Sequence, residues 1–259
     1  MAPTRLILVL ALLVASHALR ADPESDVRQA ATALARSSYT WETTVRQRFT
    51  SESRDLRPNP NAAIEVRGRV DLQGYTEITL LPSRDLAAPL AAVFQAGDVV
   101  GQTPVGWLRR TAMRQLPGQD RLVDFGGRPV RLSRVVAAAL QITARRTAAE
   151  ELLDLLEELK GWNHTSGLVL AELPDRAVER LWGDPQAKRA PEIHGTVIFQ
   201  FNDAGLAQYH VVLAIGFPNS RTQKVAWSMA QWSTRFSSIG ATTVEPPDAA
   251  IKALEEPLP

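Results

Sequence analysis

Period-two alternation in several separate segments, and helical spacing confined to the start, middle and end of the chain, predict an α+β fold. No internal repeat suggests a solenoid or an alternating α/β unit. The expected arrangement is a single domain over residues 22–259, with helices covering one face of a large antiparallel sheet.

The elements follow in chain order. Asp26 to Arg36 repeats Val27, Ala30, Ala31 and Leu34 at helical spacing. SYTWETTVRQRF then alternates Tyr39, Trp41, Thr43, Val45 and Phe49 with polar residues, as a half-buried strand does. Arg57-Pro58-Asn59-Pro60-Asn61 reads as a loop. VRGRVDLQGYTEITLLP predicts a long strand or bent pair with Val70, Leu72, Ile78 and Leu80 on one side and a turn or bulge at Gly74. AVFQAGDVVGQT predicts a hairpin turning at Ala96-Gly97-Asp98, and a short helix is expected from Leu108 to Gln115. LVDFGGRPVRL carries a further turn at Gly126-Gly127.

The middle is helical. Ser133 is a candidate cap for VVAAALQITARR. Thr147 and Glu150 have capping-box spacing, and Leu152, Leu155, Leu156 and Leu159 form one apolar face of a helix expected from Ala148 to Lys160. A third helix runs from Pro174 to Trp182, stopped by Gly183. Strands then return. In HGTVIFQFNDAGLAQYHVVLAIGF a turn at Asn202 to Gly205 sets Phe199 opposite Tyr209 and Val197 opposite Val211. Val197, Phe199, Phe201, Tyr209, Val211, Leu213, Ile215 and Phe217 then share a surface. KVAWSMAQWSTRF alternates Val225, Trp227 and Met229 against Trp232 and Phe236. A short strand is expected at Thr243-Val244, and Asp248 is placed to cap the final helix.

The composition is that of an ordinary globular protein, 45% hydrophobic and 22% charged. Residues 1–21 have the form of a secretory signal: Arg5, an apolar run from Leu6 to Ala15 too short to span a bilayer, and small residues before a cut after Ala18 or Ala21. Removal after Ala21 leaves 27 Lys and Arg against 28 Asp and Glu, a net charge of −1. That balance speaks against nucleic acid as a partner. The chain has no cysteine, hence neither disulfides nor a lipid-anchored cysteine. The expectation is a protein of the bacterial periplasm or exterior that does not span the membrane once the signal is removed.

This order resembles the LolA-like and LppX-like carriers of lipids and lipoproteins. The likeness rests on SYTWETTV after a short first helix, GRVDLQGYTEITLL after a variable loop, the late hairpin HGTVIFQFNDAGLAQYHVVL, and the ending TTVEPPDAAIKAL. It covers most of residues 22–259, in pattern and order, without one specific motif. The resemblance implies a curved antiparallel sheet, an incomplete β-barrel, with helices covering its concave face. It implies a non-enzymatic binding protein that carries or senses a hydrophobic ligand, a lipid or lipoprotein acyl chain, in the cell envelope. The mycobacterial relatives are lipid-anchored, and this chain lacks the cysteine for that.

Burying an acyl chain needs an apolar wall with few polar groups at its mouth, and each CH₂ removed from water contributes roughly 0.8 kcal/mol. Val197, Phe199, Phe201, Tyr209, Val211, Leu213, Trp227 and Met229 are the candidate lining, and Leu152, Leu155, Leu156 and Leu159 the candidate lid. The same residues also suit a sealed core. The alternative is then a protein-interaction or regulatory module with an envelope partner and no small-molecule ligand.

Catalytic and metal sites find little support. His194 and His210 are set roughly 13 Å apart by the hairpin register, too far to share an ion. No nucleophile elbow, P-loop or dinucleotide motif occurs. His164, Ser166 and Asp175 hold the residue types of a hydrolase triad, but Asp175 reads as a helix start. Asn163-His164-Thr165 matches a glycosylation sequon. Arg109, Arg110 and Arg114 near Trp107 suit either an anionic headgroup or plain solvation. No cofactor is expected.

Overall fold

A computed structural model of the protein describes residues 22–44, 47–51, 64–82, 86–182, 190–218 and 225–256. The expected signal at 1–21, the loop at 57–61, Val45 and Gly183 lie outside them. The order is α1 (Pro23–Ala35), β1 (Tyr39–Thr44), β2 (Gln47–Ser51), β3 (Ile64–Val70), β4 (Tyr75–Leu80), β5 (Leu90–Gln95), β6 (Asp98–Thr103) and β7 (Gly106–Arg109). Then come α2 (Arg110–Arg114), β8 (Leu122–Asp124), β9 (Pro129–Arg131), α3 (Leu132–Ile142), α4 (Ala148–Leu156), β10 (Lys160–Thr165) and β11 (Leu168–Leu173). The last are α5 (Asp175–Trp182), β12 (Glu192–Asn202), β13 (Gly205–Pro218), β14 (Val225–Ser237) and α6 (Asp248–Glu255).

The fold is α+β. Twelve strands form one antiparallel sheet in the order β10-β11-β12-β13-β14-β1-β3-β4-β5-β6-β7, with β2 pairing β14 beyond the end of β1. β10 and β7 do not pair, so the sheet is open. β8 and β9 form a separate two-stranded sheet around Gly126-Gly127. The β12–β13 hairpin has the expected register, Val197 opposite Val211 and Phe199 opposite Tyr209, with a bulge beside Phe201 that accommodates Ala207. Ala96 and Gly97, at φ 49° and 91°, make the tight β5–β6 turn.

One face of the sheet holds the main core. Val27, Ala31 and Leu34 of α1, five buried residues of α3 from Leu132 to Ile142, Leu152 and Leu156 of α4, and Ala177 and Val178 of α5 pack on it. A string of rings crosses this face: Trp162, Phe199, Tyr209, Phe236, Tyr39 and Trp41, with successive centroids 5.8, 6.5, 6.1, 5.7 and 5.6 Å apart. Not all helices share that face. Ala92 belongs to the main core, while its neighbour Val93 points the other way and packs with Val100, Ala250 and Leu254 under α6.

Several local expectations are corrected. The leucine helix stops at Leu156, and Lys160 to Thr165 is a strand, so Leu159 and Gly161 lie beyond the helix. Ser133 sits inside α3, whose first turn has no side-chain cap. Pro247, not Asp248, occupies the N-cap position of α6. Thr243-Val244 forms no strand; the Val244 amide donates to Asp71 Oδ2 instead. Leu72 lies in the β3–β4 turn, 72% exposed, and not on the face of Ile78.

Candidate ligand cleft

Apart from Phe201, the candidate lining on β12 and β13 is packed solid. Val197, Phe199 and Leu213 are fully buried, with Val211 and Tyr209 close behind, all in the main core. Tyr209 lies between Phe199 and Phe236, and burial pushes its hydroxyl pKa up, only partly offset by a hydrogen bond with Thr234. Trp227 and Met229 are corrected. Leu213 pairs with Ala230 and Val211 with Trp232, so the even-numbered residues of β14 share the Leu213 face. Trp227 and Met229 point the other way, into a separate cluster with Ala214 and Val225.

The candidate lid is pinned at both ends. At its start, the capping box of Thr147 and Glu150 forms as expected, and the Ala149 amide donates to Tyr39 Oη at 3.2 Å. At its end, Arg28 of α1 donates to the Leu156 carbonyl at 2.9 Å while its guanidinium pairs with Glu157 and Glu24. Those two carboxylates raise the Arg28 pKa. Leu152 and Leu156 are fully buried, and Leu155 and Leu159 nearly so. The helix therefore belongs to the core.

The open space lies beside this core. A cleft of about 570 Å³ separates α1 from the end of the sheet where β10, β11 and β12 meet. Pro23, Asp26, Ala30 and Ala33 form one stripe of α1, next to the buried stripe of Val27, Ala31 and Leu34. The opposite wall is Val169 of β11, Phe201 of β12, and His164 and Gly167 of the β10–β11 hairpin. Phe201 is 37% exposed and presents its ring to this space. Among the described lining residues only Asp26, Gln29 and His164 have polar side chains. A wider hollow of about 690 Å³ runs along α1 past Glu24, Arg28 and Thr32, but among the described residues that helix and its flanking Asp22 and Arg36 form its only wall.

Of the candidate lining, therefore, only Phe201 reaches open space. His164, Gly167 and Val169 lie on a β10–β11 hairpin where the sequence predicts a helix end and a loop, and the α1 residues of the cleft flank the stripe whose spacing predicts burial. The signal available was the alternation in LVLAEL after the Ser166-Gly167 turn, whose φ values are 47° and 81°.

The remaining candidates are dispersed. Ser166 lies at one end of β11 and Asp175 beyond the other, roughly 20 Å apart along the strand, so no triad forms. Among the described residues no group of three or more His, Asp or Glu gathers as a metal site. Trp107 packs under α6 with Tyr75 and Ala253. Arg109 is committed to Asp98 at 2.8 Å and to the carbonyls of Leu254 and Glu256. Among the described residues no helix is long and apolar enough to cross a membrane. No protein-family model matches the chain, and no curated protein matches it in sequence.

Proposed function

We propose that the protein is an exported, non-catalytic binding protein of the cell envelope that carries or senses a hydrophobic ligand, a lipid or an acyl chain. The reading takes the sheet as the curved half-barrel of the LolA-like and LppX-like carriers, with α1, α3, α4 and α5 on its concave face. The observation that carries it is the cleft: two alanines, Val169 and Phe201 facing each other across about 570 Å³, with Asp26, Gln29 and His164 as the polar side chains among the described lining residues. Ligand sites have this composition and span about 300–1,000 Å³. The ligand lies at the edge of the core, between α1 and the β10–β11 hairpin, and not between sheet and α4.

The sealed packing of Val197, Phe199 and Leu213 favours one second reading. In it, the cleft receives an apolar side chain of an envelope protein, and the chain is an interaction or regulatory module. Mass spectrometry of organic extracts from protein purified from a bacterial periplasm separates the two. A lipid at one per chain, lost in Ala33→Trp, is expected of the carrier. An empty protein that still folds favours the module.

A further inference from the structure

A second cavity, about 320 Å³, lies between β4, β5 and the α3–α4 connection, and it shares no lining residue with the cleft. Its floor holds Ile78, almost wholly buried, and Phe94, half-buried, with Thr76 opposite Phe94 and Gln95 beside it. Its rim carries Arg145, Arg146, Thr147 and Glu150. Three of these are committed elsewhere. Arg146 is paired with Asp154. The Glu150 carboxylate accepts from the amide and the hydroxyl of Thr147, each at 2.9 Å. Arg145 is half-buried, and its guanidinium makes no hydrogen bond or ion pair among the described residues. Among the described residues no acceptor hydrogen-bonds to its five donors, which stand above Ile78, Phe94 and Thr76.

We infer that this cavity binds a small organic anion with an apolar body, of the class of short-chain carboxylates. Arg145 holds the anionic group, and Ile78 and Phe94 hold the body. A bidentate guanidinium–carboxylate pair suits the geometry of Arg, and partial burial protects it from screening. The site is independent of the proposed cleft.

Isothermal titration of the signal-free chain with octanoate tests it, with 1-octanol as the neutral counterpart. Saturable octanoate binding is expected, with octanol much weaker. Arg145→Gln should weaken octanoate roughly tenfold or more, as loss of a charge-assisted hydrogen bond does. Thr76→Trp, which fills the cavity and keeps the charge, should abolish binding, and Ala33→Trp in the cleft should leave it unchanged. Thermal unfolding checks that each variant folds; if Thr76→Trp does not, Arg145→Gln decides. Absence of saturable binding, or equal binding by octanol and by Arg145→Gln, overturns the inference. So does loss of binding in Ala33→Trp alone, which places octanoate in the cleft and supports the carrier reading instead.

Discussion

Gly68 lies directly opposite Trp41 across the β1–β3 pair, and the indole covers it so closely that a Cβ there would fall 2.0 Å from Cζ2 and Cη2. The ring fills the place of the missing side chain, as aromatic residues do beside strand glycines. Trp41 is 3% exposed and closes one end of the aromatic string through Tyr39. Gly68→Ala is therefore expected to destabilise by about 1–3 kcal/mol, the usual cost of overpacking. Trp41→Leu should relieve part of that cost. Urea unfolding of the two single variants and the double variant reads the coupling; additive losses would show that the indole yields without strain.

Tyr39 ties the sheet to α4. Its hydroxyl accepts from the Ala149 amide inside the core, and burial raises its pKa. Tyr39→Phe keeps the ring contacts and leaves that amide without an acceptor. The expected loss is about 1–3 kcal/mol. Hydrogen exchange should show the first turn of α4 opening sooner, while β12 and β13 exchange as before.

Arg28 holds the other end of α4. Its side chain is more than a third exposed, so the ion pairs with Glu24 and Glu157 are screened. Arg28→Met, which retains most of the stem, should cost no more than about 1 kcal/mol. The change is measured by urea midpoint, and the loss should shrink further in high salt.

His210 gives the fold a pH dependence. It is 8% exposed, and desolvation first, then the Arg235 cation, lowers its pKa below the ordinary 6.5. The unfolded chain thus takes up a proton more readily than the folded one. The contribution of His210 is fully present above about pH 6.5 and is lost as pH falls toward the lowered folded value. For a single proton the slope cannot exceed about 1.4 kcal/mol per pH unit. His210→Gln should remove this slope, read as the difference between variant and parent urea midpoints at pH 7.5 and 5.5. Parallel curves would refute it.

The sequence carries the β12–β13 hairpin almost completely, because the Asn202–Gly205 turn and the alternation agree on one register. It does not carry the side of the sheet on which Trp227 and Met229 fall. β14 has large apolar residues on both faces, and its pairing with β13 alone selects between them. The β10–β11 hairpin is hidden for another reason. The leucine spacing of α4 runs on through Leu159, while the helix ends at Leu156 and Gly161, at φ 61°, bends the chain into an edge strand. Since β10 and β11 form one wall of the cleft, that misreading concealed the site itself, and of the predicted lining only Phe201 pointed to it.

Phe201 is accordingly the residue on which the carrier reading turns. The residue is 37% exposed near the turn of the hairpin, beside the bulge that Ala207 makes in β13. Phe201→Asp places a charge opposite Ala30 and Ala33 and, with Asp26, doubles the acidic groups of the lining. An acyl chain would then meet an ionised wall, which costs far more than the apolar contact it replaces. Stability should change by about 1 kcal/mol, because the residue is already more than a third exposed. Palmitate titrated into the parent chain should quench Trp162, which stacks on Phe199 and lies two residues from His164 of the cleft. In Phe201→Asp that quenching should vanish while octanoate binding at Arg145 persists. Palmitate binding that survives Phe201→Asp and Ala33→Trp alike would remove the cleft from consideration and leave the interaction module as the reading the fold supports.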